Sequence, residues 1–102
     1  MKVDEVAKAL KELGHPTRLS IYMCVVRAGQ EGIAVGGVQQ KLNIPSSTLS
    51  HHIASLVSAD LLSQRRESRT LYCVAEYQQL MGVIEFLQEE CCADGTCVVI
   101  PS

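Results

Sequence analysis

The sequence predicts a single, mainly α-helical domain that carries one small β-hairpin and ends in a cysteine-bearing tail. Apolar residues recur at helical spacing before Ala59 and again after Glu76, whereas residues 61 to 74 alternate like two short strands. A chain of 102 residues is long enough for one modest core and too short for two. Because 47% of the residues are hydrophobic and only 4% are aromatic, we expect that core to be aliphatic.

Two helices are predicted at the N-terminus. The first ends at Gly14, and the second begins near Pro16, whose restricted φ suits a first helical turn, and ends at Gly29. Each helix has a one-sided apolar stripe, which predicts that one face of each packs against the core. The apolar residues are Val3, Val6, Ala7, Leu10 and Leu13 in the first helix, and Leu19, Ile21, Tyr22, Val25 and Val26 in the second.

A second pair of helices is predicted around the turn NIPSS. A short helix ends near Leu42, Pro45 restricts the chain at the turn, and Ser46 or Ser47 is expected to cap the next helix. The apolar residues of that helix are Leu49, Ile53, Leu56 and Val57. The sequence therefore predicts two short helices joined by a tight turn.

The remaining elements are a hairpin and a final helix. The segment LLSQRRESRTLYCV, residues 61 to 74, alternates around a turn near Glu67 and Ser68. Helical spacing returns from Glu76 with the apolar residues Leu80, Met81, Ile84 and Leu87. The predicted order is α-α-α-α-β-β-α. Two short helices followed by an arginine-rich hairpin are typical of a winged helix-turn-helix.

This order of elements predicts contacts to double-stranded DNA. The second helix of such a pair fits the major groove, and the hairpin can reach the backbone or the minor groove. Polar helix starts are often only caps, clustered arginines are often a solvated surface, and adjacent histidines point to different sides of a helix. Taken together with the order of the elements, these polar and basic residues favour DNA contacts. The candidate residues are Gln39, Ser46, Ser47, Thr48, Ser50, His51, His52, Arg65, Arg66 and Arg69.

The charge distribution agrees with a DNA-binding body. The net charge is −2, but residues 75 to 102 hold five acidic residues and no basic one. Residues 1 to 35 sum to +1 and residues 36 to 74 to +2. A local basic patch, more than the total charge, sets the field that a phosphate backbone meets. We therefore expect the acidic segment to lie apart from the DNA-facing surface.

Several classes of protein are not expected. No apolar run approaches the about 20 residues of a membrane span, and the N-terminus has the pattern of an amphipathic helix instead of a secretory signal. We expect a cytoplasmic protein without a membrane partner, with its thiols reduced. No glycine-rich phosphate loop or catalytic constellation is present, so neither an enzyme nor an organic cofactor is expected. A thiol-based metal carrier or a structural interaction module would leave the helix-turn-helix pattern unexplained.

Three motifs resemble those of the ArsR/SmtB repressors. They are LGHPTRLSIYMCV in the second helix, IPSSTLSHHIASLVSADLL across the fourth, and RRESRTLYCV in the hairpin, and the likeness covers nearly the whole chain. The resemblance implies a homodimer that pairs through its first and last helices on a palindromic operator. It also implies release from DNA when a toxic metal, metalloid or reactive sulfur species binds. The apolar stripes of the first and last helices agree with such pairing.

The stretch ECCADGTC, residues 90 to 97, is the candidate sensing site. Family sites with cysteines in the third helix or histidines in the last helix have no counterpart here. A turn at Asp94 and Gly95 would bring Cys97 back towards Cys91 and Cys92. Three thiolates suit a soft centre, and trivalent arsenic or antimony needs no fourth ligand, whereas structural zinc prefers four.

The sequence thus predicts a repressor released from its operator by As(III) or Sb(III) at Cys91, Cys92 and Cys97. The alternatives are another soft metal at the same cysteines, a redox or persulfide switch on these thiols, and an inert tail. Cys24 and Cys73 are expected to pack in the core as small apolar side chains. Through the family resemblance, a pairing of Cys24 with Cys91 or Cys92 also stays open.

Overall fold

The chain folds into five helices and a three-stranded antiparallel sheet. The structure, a computed structural model, describes residues 1–95. The elements are α1 (Val3–Leu13), α2 (Pro16–Arg27), β1 (Ile33–Ala34), α3 (Val35–Leu42), α4 (Ser46–Ser58), β2 (Leu62–Glu67), β3 (Thr70–Ala75) and α5 (Tyr77–Glu90). The helix pair α3–α4 followed by the β2–β3 hairpin confirms the predicted winged helix-turn-helix.

The sheet contains one strand that the sequence pattern did not predict. Ile33 and Ala34 pair with Cys73 and Tyr72, so the strand order is β1-β3-β2 and β3 lies in the centre. Two residues are too few to show an alternating pattern, so no local signal indicated β1. The extra strand ties the hairpin to the loop between α2 and α3, and this gives the wing a fixed base.

The predicted helix boundaries are largely confirmed. Gly14 follows the last residue of α1, and Pro16 occupies the first turn of α2. The predicted serine cap of α4 is wrong, because the residue at the N-cap position is Pro45 and no side chain caps the helix. Ser46 and Ser47 already lie within the first helical turn, where a side chain no longer faces the free backbone N–H groups as a cap does.

The core is aliphatic, as predicted, and every helix contributes to it. Among the described residues, the largest fully buried side chains are Ile21, Val25, Val38, Leu49, Leu56, Leu61, Leu62 and Cys73. Burying an aliphatic side chain of this size stabilises the fold by about 1.5–3 kcal/mol relative to leaving it exposed. Cys24 and Cys73 are buried at 8% and 0% exposure. Their predicted role as core side chains is confirmed.

The first and last helices leave much of their apolar surface exposed. Val83 is the only fully buried residue of α5 among those described. The large hydrophobic side chains exposed by 37% or more are Met1, Val3, Leu10, Leu19, Met23, Met81, Ile84 and Leu87.

Among residues 1–95, no helix is both long enough and apolar enough to cross a membrane.

Gly32 occupies a position that only glycine tolerates, and its substitution tests the base of the wing. Its φ is +81°, and an added Cβ would lie 2.6 Å from the carbonyl oxygen of Cys73. We expect Gly32→Ala to lower the free energy of unfolding by about 1–3 kcal/mol, measured by urea denaturation. Gly36→Ala is the matched control, because its added methyl would meet no atom within 4 Å and lies in a helix. A loss of stability in Gly36→Ala equal to that in Gly32→Ala would contradict the explanation.

Candidate DNA-binding surface and the cysteines at the end of α5

The tight turn between α3 and α4 sets the direction of the second helix. α3 ends at Asn43, which has a φ of 53° and donates its backbone N–H to the Gln39 carbonyl at 2.7 Å. Asparagine is one of the few residues that adopt this left-handed conformation readily. Pro45 then leads directly into α4. Leu49, Ile53 and Leu56 at 0–3% exposure hold α4 on the core, so the opposite side of the helix faces outward.

Five of the ten predicted DNA-contacting residues lie together on that outward side. They are Ser46, Ser47, Thr48, Ser50 and His51, all exposed within the first half of α4. Gln39 is half-buried on α3. Short hydrogen-bonding side chains at the start of a helix, together with its backbone N–H groups, suit contacts to phosphates and base edges.

His52 lies apart from this exposed surface, and its predicted DNA contact stays a prediction. It is 7% exposed and lies on the same side of α4 as Leu49 and Leu56. Its Nδ1 accepts a hydrogen bond from the Arg18 Nε–H at 3.3 Å. Burial, followed by the charge of Arg18, lowers the pKa of His52. His52 therefore supports the position of α4 from inside.

All three predicted wing arginines are exposed, and one of them, Arg65, also contacts other parts of the chain. Arg65 donates from Nη2 to the Glu31 carbonyl at 2.8 Å, pairs with Glu67 at 3.0 Å and lies 5.2 Å from the Tyr72 ring centre. Successive side chains of a strand point to opposite faces, so Arg66 faces away from this cluster.

Arg66 and Arg69 are the wing cations that face solvent. Both are exposed, and neither pairs with an acidic side chain within residues 1–95. Arg65, by contrast, is held against the base of the wing by Glu31 and Glu67. Arg65 therefore braces the base of the wing, and its predicted DNA contact stays a prediction.

Sequence reasoning missed Glu12 and Arg18 as contributors to the site. Arg18 reaches His52 across 34 positions of sequence, and its Nη1 pairs with the Glu12 carboxylate at 3.2 Å. No periodicity links residues so far apart. A signal was nevertheless present, because Arg18 interrupts the apolar pattern near the start of α2.

Cys91 and Cys92 lie at the end of α5. Cys91 is the C-cap residue, and the two sulfur atoms are 3.5 Å apart. The Gly95 N–H donates to the Cys92 carbonyl at 3.2 Å, so the chain turns at the predicted position. Cys97 lies outside the described residues. Within residues 1–95, no group of three or more His, Cys, Asp or Glu side chains is arranged to hold a metal ion.

The elements α3, α4 and the β2–β3 wing define a winged helix-turn-helix protein. A family model described as a helix-turn-helix domain matches residues 13–65, which is more than half of the chain. The chain is 33% identical over 92 residues to the biofilm growth-associated repressor of Agrobacterium fabrum, covering 90% of this chain and 76% of that protein.

Solved structures agree with this assignment. An ArsR-like transcriptional regulator from Rhodococcus sp. RHA1 superposes with a TM-score of 0.75 at 17% identity, covering 84% of this chain and 78% of that one. A homodimeric winged helix-turn-helix DNA-binding domain from Mycobacterium bovis gives a TM-score of 0.68 at 21% identity, covering 95% and 90%. The chain therefore belongs to this helix-turn-helix family, and its fold is that of ArsR-like winged-helix regulators.

The contrast between buried and exposed thiols predicts their reactivity. Burial raises the pKa of the Cys73 thiol, which keeps it protonated, whereas Cys91 is exposed. In fully reduced, folded protein we expect iodoacetamide to modify Cys91 faster than Cys73 by about two orders of magnitude or more. Mass spectrometry of timed samples measures both rates, and urea-unfolded protein is the control in which they should converge. Equal rates in folded protein would show that β3 is not protected.

Proposed function

We propose that this protein represses transcription as a homodimer bound to double-stranded operator DNA. We further propose that As(III) or Sb(III), bound by Cys91, Cys92 and Cys97, releases it. The observation that carries the DNA-binding part is that the polar first half of α4 and the wing residues Arg66 and Arg69 are all exposed. A helix is about 10–12 Å across with its side chains, and the major groove is about 12 Å wide, so α4 fits.

Pairing through α1 and α5 is supported by their exposed apolar side chains. Val3 and Leu10 on α1, and Met81 and Leu87 on α5, are 44–67% exposed. Contiguous apolar surface of this kind marks an interaction site in a small domain. The Mycobacterium bovis domain of the same fold is homodimeric. A twofold dimer would present two α4 helices to half-sites about 34–36 Å apart.

The inducer site rests on the chemistry of the thiols at the end of α5. Cys92 is disulfide-bonded in this structure, and its sulfur atom lies 3.5 Å from that of Cys91, which is close enough for two ligands of one soft centre once Cys92 is reduced. For comparison, two thiolates that are each about 2.3 Å from a tetrahedral zinc lie about 3.8 Å apart. Cys97 would supply the third thiolate, and its place rests on the CC-x4-C spacing. A trivalent arsenic or antimony centre is satisfied by three sulfur ligands.

Release follows from the position of these thiols on a dimerisation helix. The thiolates bind at the end of α5, whose exposed apolar side would pack on the partner. A changed packing of α5 would alter the spacing of the two α4 helices. A coupling of about 1–3 kcal/mol is typical of such linkage, and it requires different inducer affinities in the free and DNA-bound states.

A thiol-based redox or persulfide-sensing repressor is the second candidate. The exposure of Cys91 favours it, because an oxidant or persulfide reaches an exposed thiol directly. In this version the same cysteines change by forming sulfur–sulfur bonds and are restored by a reductant. Both candidates share the operator-binding surface and differ only in the ligand chemistry.

The inducer is tested by fluorescence anisotropy of reduced protein on a labelled fragment of its own promoter. We expect arsenite to release the DNA, and Cys91→Ser and Cys97→Ser to bind DNA normally but to stay bound in arsenite. Cys24→Ala, a change in the core, is the matched control and should still respond. Release by peroxide or a persulfide donor alone, reversed by a reductant, would favour the second candidate. Release of both serine variants by arsenite would place the site elsewhere.

The wing is tested by the salt dependence of promoter binding. Arg66→Ala should reduce the slope of log K against log salt by about 0.9 for each phosphate that the protein no longer neutralises, or about 1.8 per dimer. Arg65→Ala removes the same charge, but its side chain is held by Glu31 and Glu67, so the slope should stay near the wild-type value. An equal change of slope in both variants would contradict the division of roles.

A further inference from the structure

Glu12, Arg18 and His52 form a chain of polar side chains that joins three helices. The Glu12 carboxylate on α1 contacts Arg18 Nη1 at 3.2 Å, and Arg18 on α2 donates from Nε to His52 Nδ1 on α4 at 3.3 Å. The side chains of Arg18 and Glu12 are only 14% and 12% exposed, and His52 is 7% exposed. Three largely buried polar groups therefore connect α1 to the recognition helix α4.

The direction of the hydrogen bond decides the protonation state of His52. A guanidinium group only donates, so His52 Nδ1 must accept and must carry no proton. A proton on Nδ1 would face the Arg18 cation and remove the bond. The Glu12 carboxylate lies on the other side of the guanidinium and is already paired with it.

The charged groups around His52 come from each element packed against it. Arg18 and the His15 ring, 4.8 Å from His52 between ring centres, lie in α2 and at its start, and Glu12 lies behind Arg18. The His51 ring, on α4 itself, is 5.7 Å away. Within the described residues, no carboxylate makes an ion pair with His52. A proton added to His52 would therefore lie beside the positively charged Arg18.

We propose that Arg18 is a positioning residue that fixes α4 for DNA by bonding neutral His52, and that a proton on His52 releases this bond and weakens operator binding. The proposal rests on the proposed function. His51 and Ser50, on the exposed face of α4, directly precede His52. A shift of His52 therefore moves DNA-facing side chains with it.

The expected pH dependence has a definite sign. Burial and the neighbouring Arg18 lower the pKa of His52 from its ordinary value of about 6.5. The hydrogen bond is thus fully formed above about pH 6.5 and breaks as the pH falls through the lowered value. A histidine that contacts phosphate directly would do the opposite and bind DNA more tightly in acid.

The test measures promoter affinity by anisotropy between about pH 8 and about pH 5.5 at constant ionic strength. Wild type should lose affinity severalfold over this range, and by less than about tenfold, because the lowered pKa leaves part of His52 unprotonated at about pH 5.5. His52→Asn keeps an acceptor near the Nδ1 position and does not titrate. It should bind like wild type at high pH with a flatter profile. His52→Leu, which fills the space without an acceptor, should bind weakly at every pH.

Controls separate this hydrogen bond from direct titration and from unfolding. His51→Asn should keep the acid loss, and circular dichroism at each pH confirms that every variant is folded. A wild-type affinity that rises or stays level in acid would overturn the proposal, as would an equal acid loss in His52→Asn.

Imidazole nitrogen shifts, measured by NMR without DNA, provide a second readout. His52 should have an unprotonated Nδ1 at neutral pH, and a proton on Nδ1 would overturn the proposal whatever the DNA result. An unprotonated Nδ1 in a protein that binds no promoter fragment would instead overturn the proposed function, and the positioning role with it.

Discussion

The burial of one side of α4 is the constraint on which the rest of the structure depends. Leu49, Ile53 and Leu56 are at 0–3% exposure, and together they fix the rotation of the helix about its axis. Because side chains at this spacing share one face, the serines, threonine and His51 of the first half are directed outward. The same rotation carries His52 inward. One hydrophobic contact surface therefore decides which residues DNA can reach.

The arginine residues then differ in what they contact. Arg18, which is largely buried, and Arg65, which lies at the surface, both contact other parts of the chain, with acceptors on α1, α4, β2 and the loop before β1. Arg66 and Arg69 extend from the wing into solvent. A chain of net charge −2 can still present a basic surface, since residues 75 to 102 hold five acidic residues and no base. Arg65 holds the base of the wing in place, while different residues, Arg66 and Arg69, extend from the wing into solvent.

The last helix combines two features that are otherwise unrelated. α5 buries only Val83 completely, leaves Met81 and Leu87 about half exposed, and ends at the adjacent Cys91 and Cys92. In the proposed dimer, an element so lightly attached to its own core depends on the partner subunit for its packing. Thiol chemistry at its end is therefore well placed to change that packing. The same argument applies to a metalloid ligand and to an oxidant.

The sequence by itself determined the five helices, the wing, the aliphatic core and the packing of Cys24 and Cys73, because those features follow from local periodicity and composition. Only the tertiary structure decided that β1 pairs with β3, that His52 is buried against Arg18, and that Arg65 braces the wing. These contacts join residues 34 or more positions apart. Such pairings depend on how whole elements pack against one another, and a local sequence pattern does not indicate this tertiary packing.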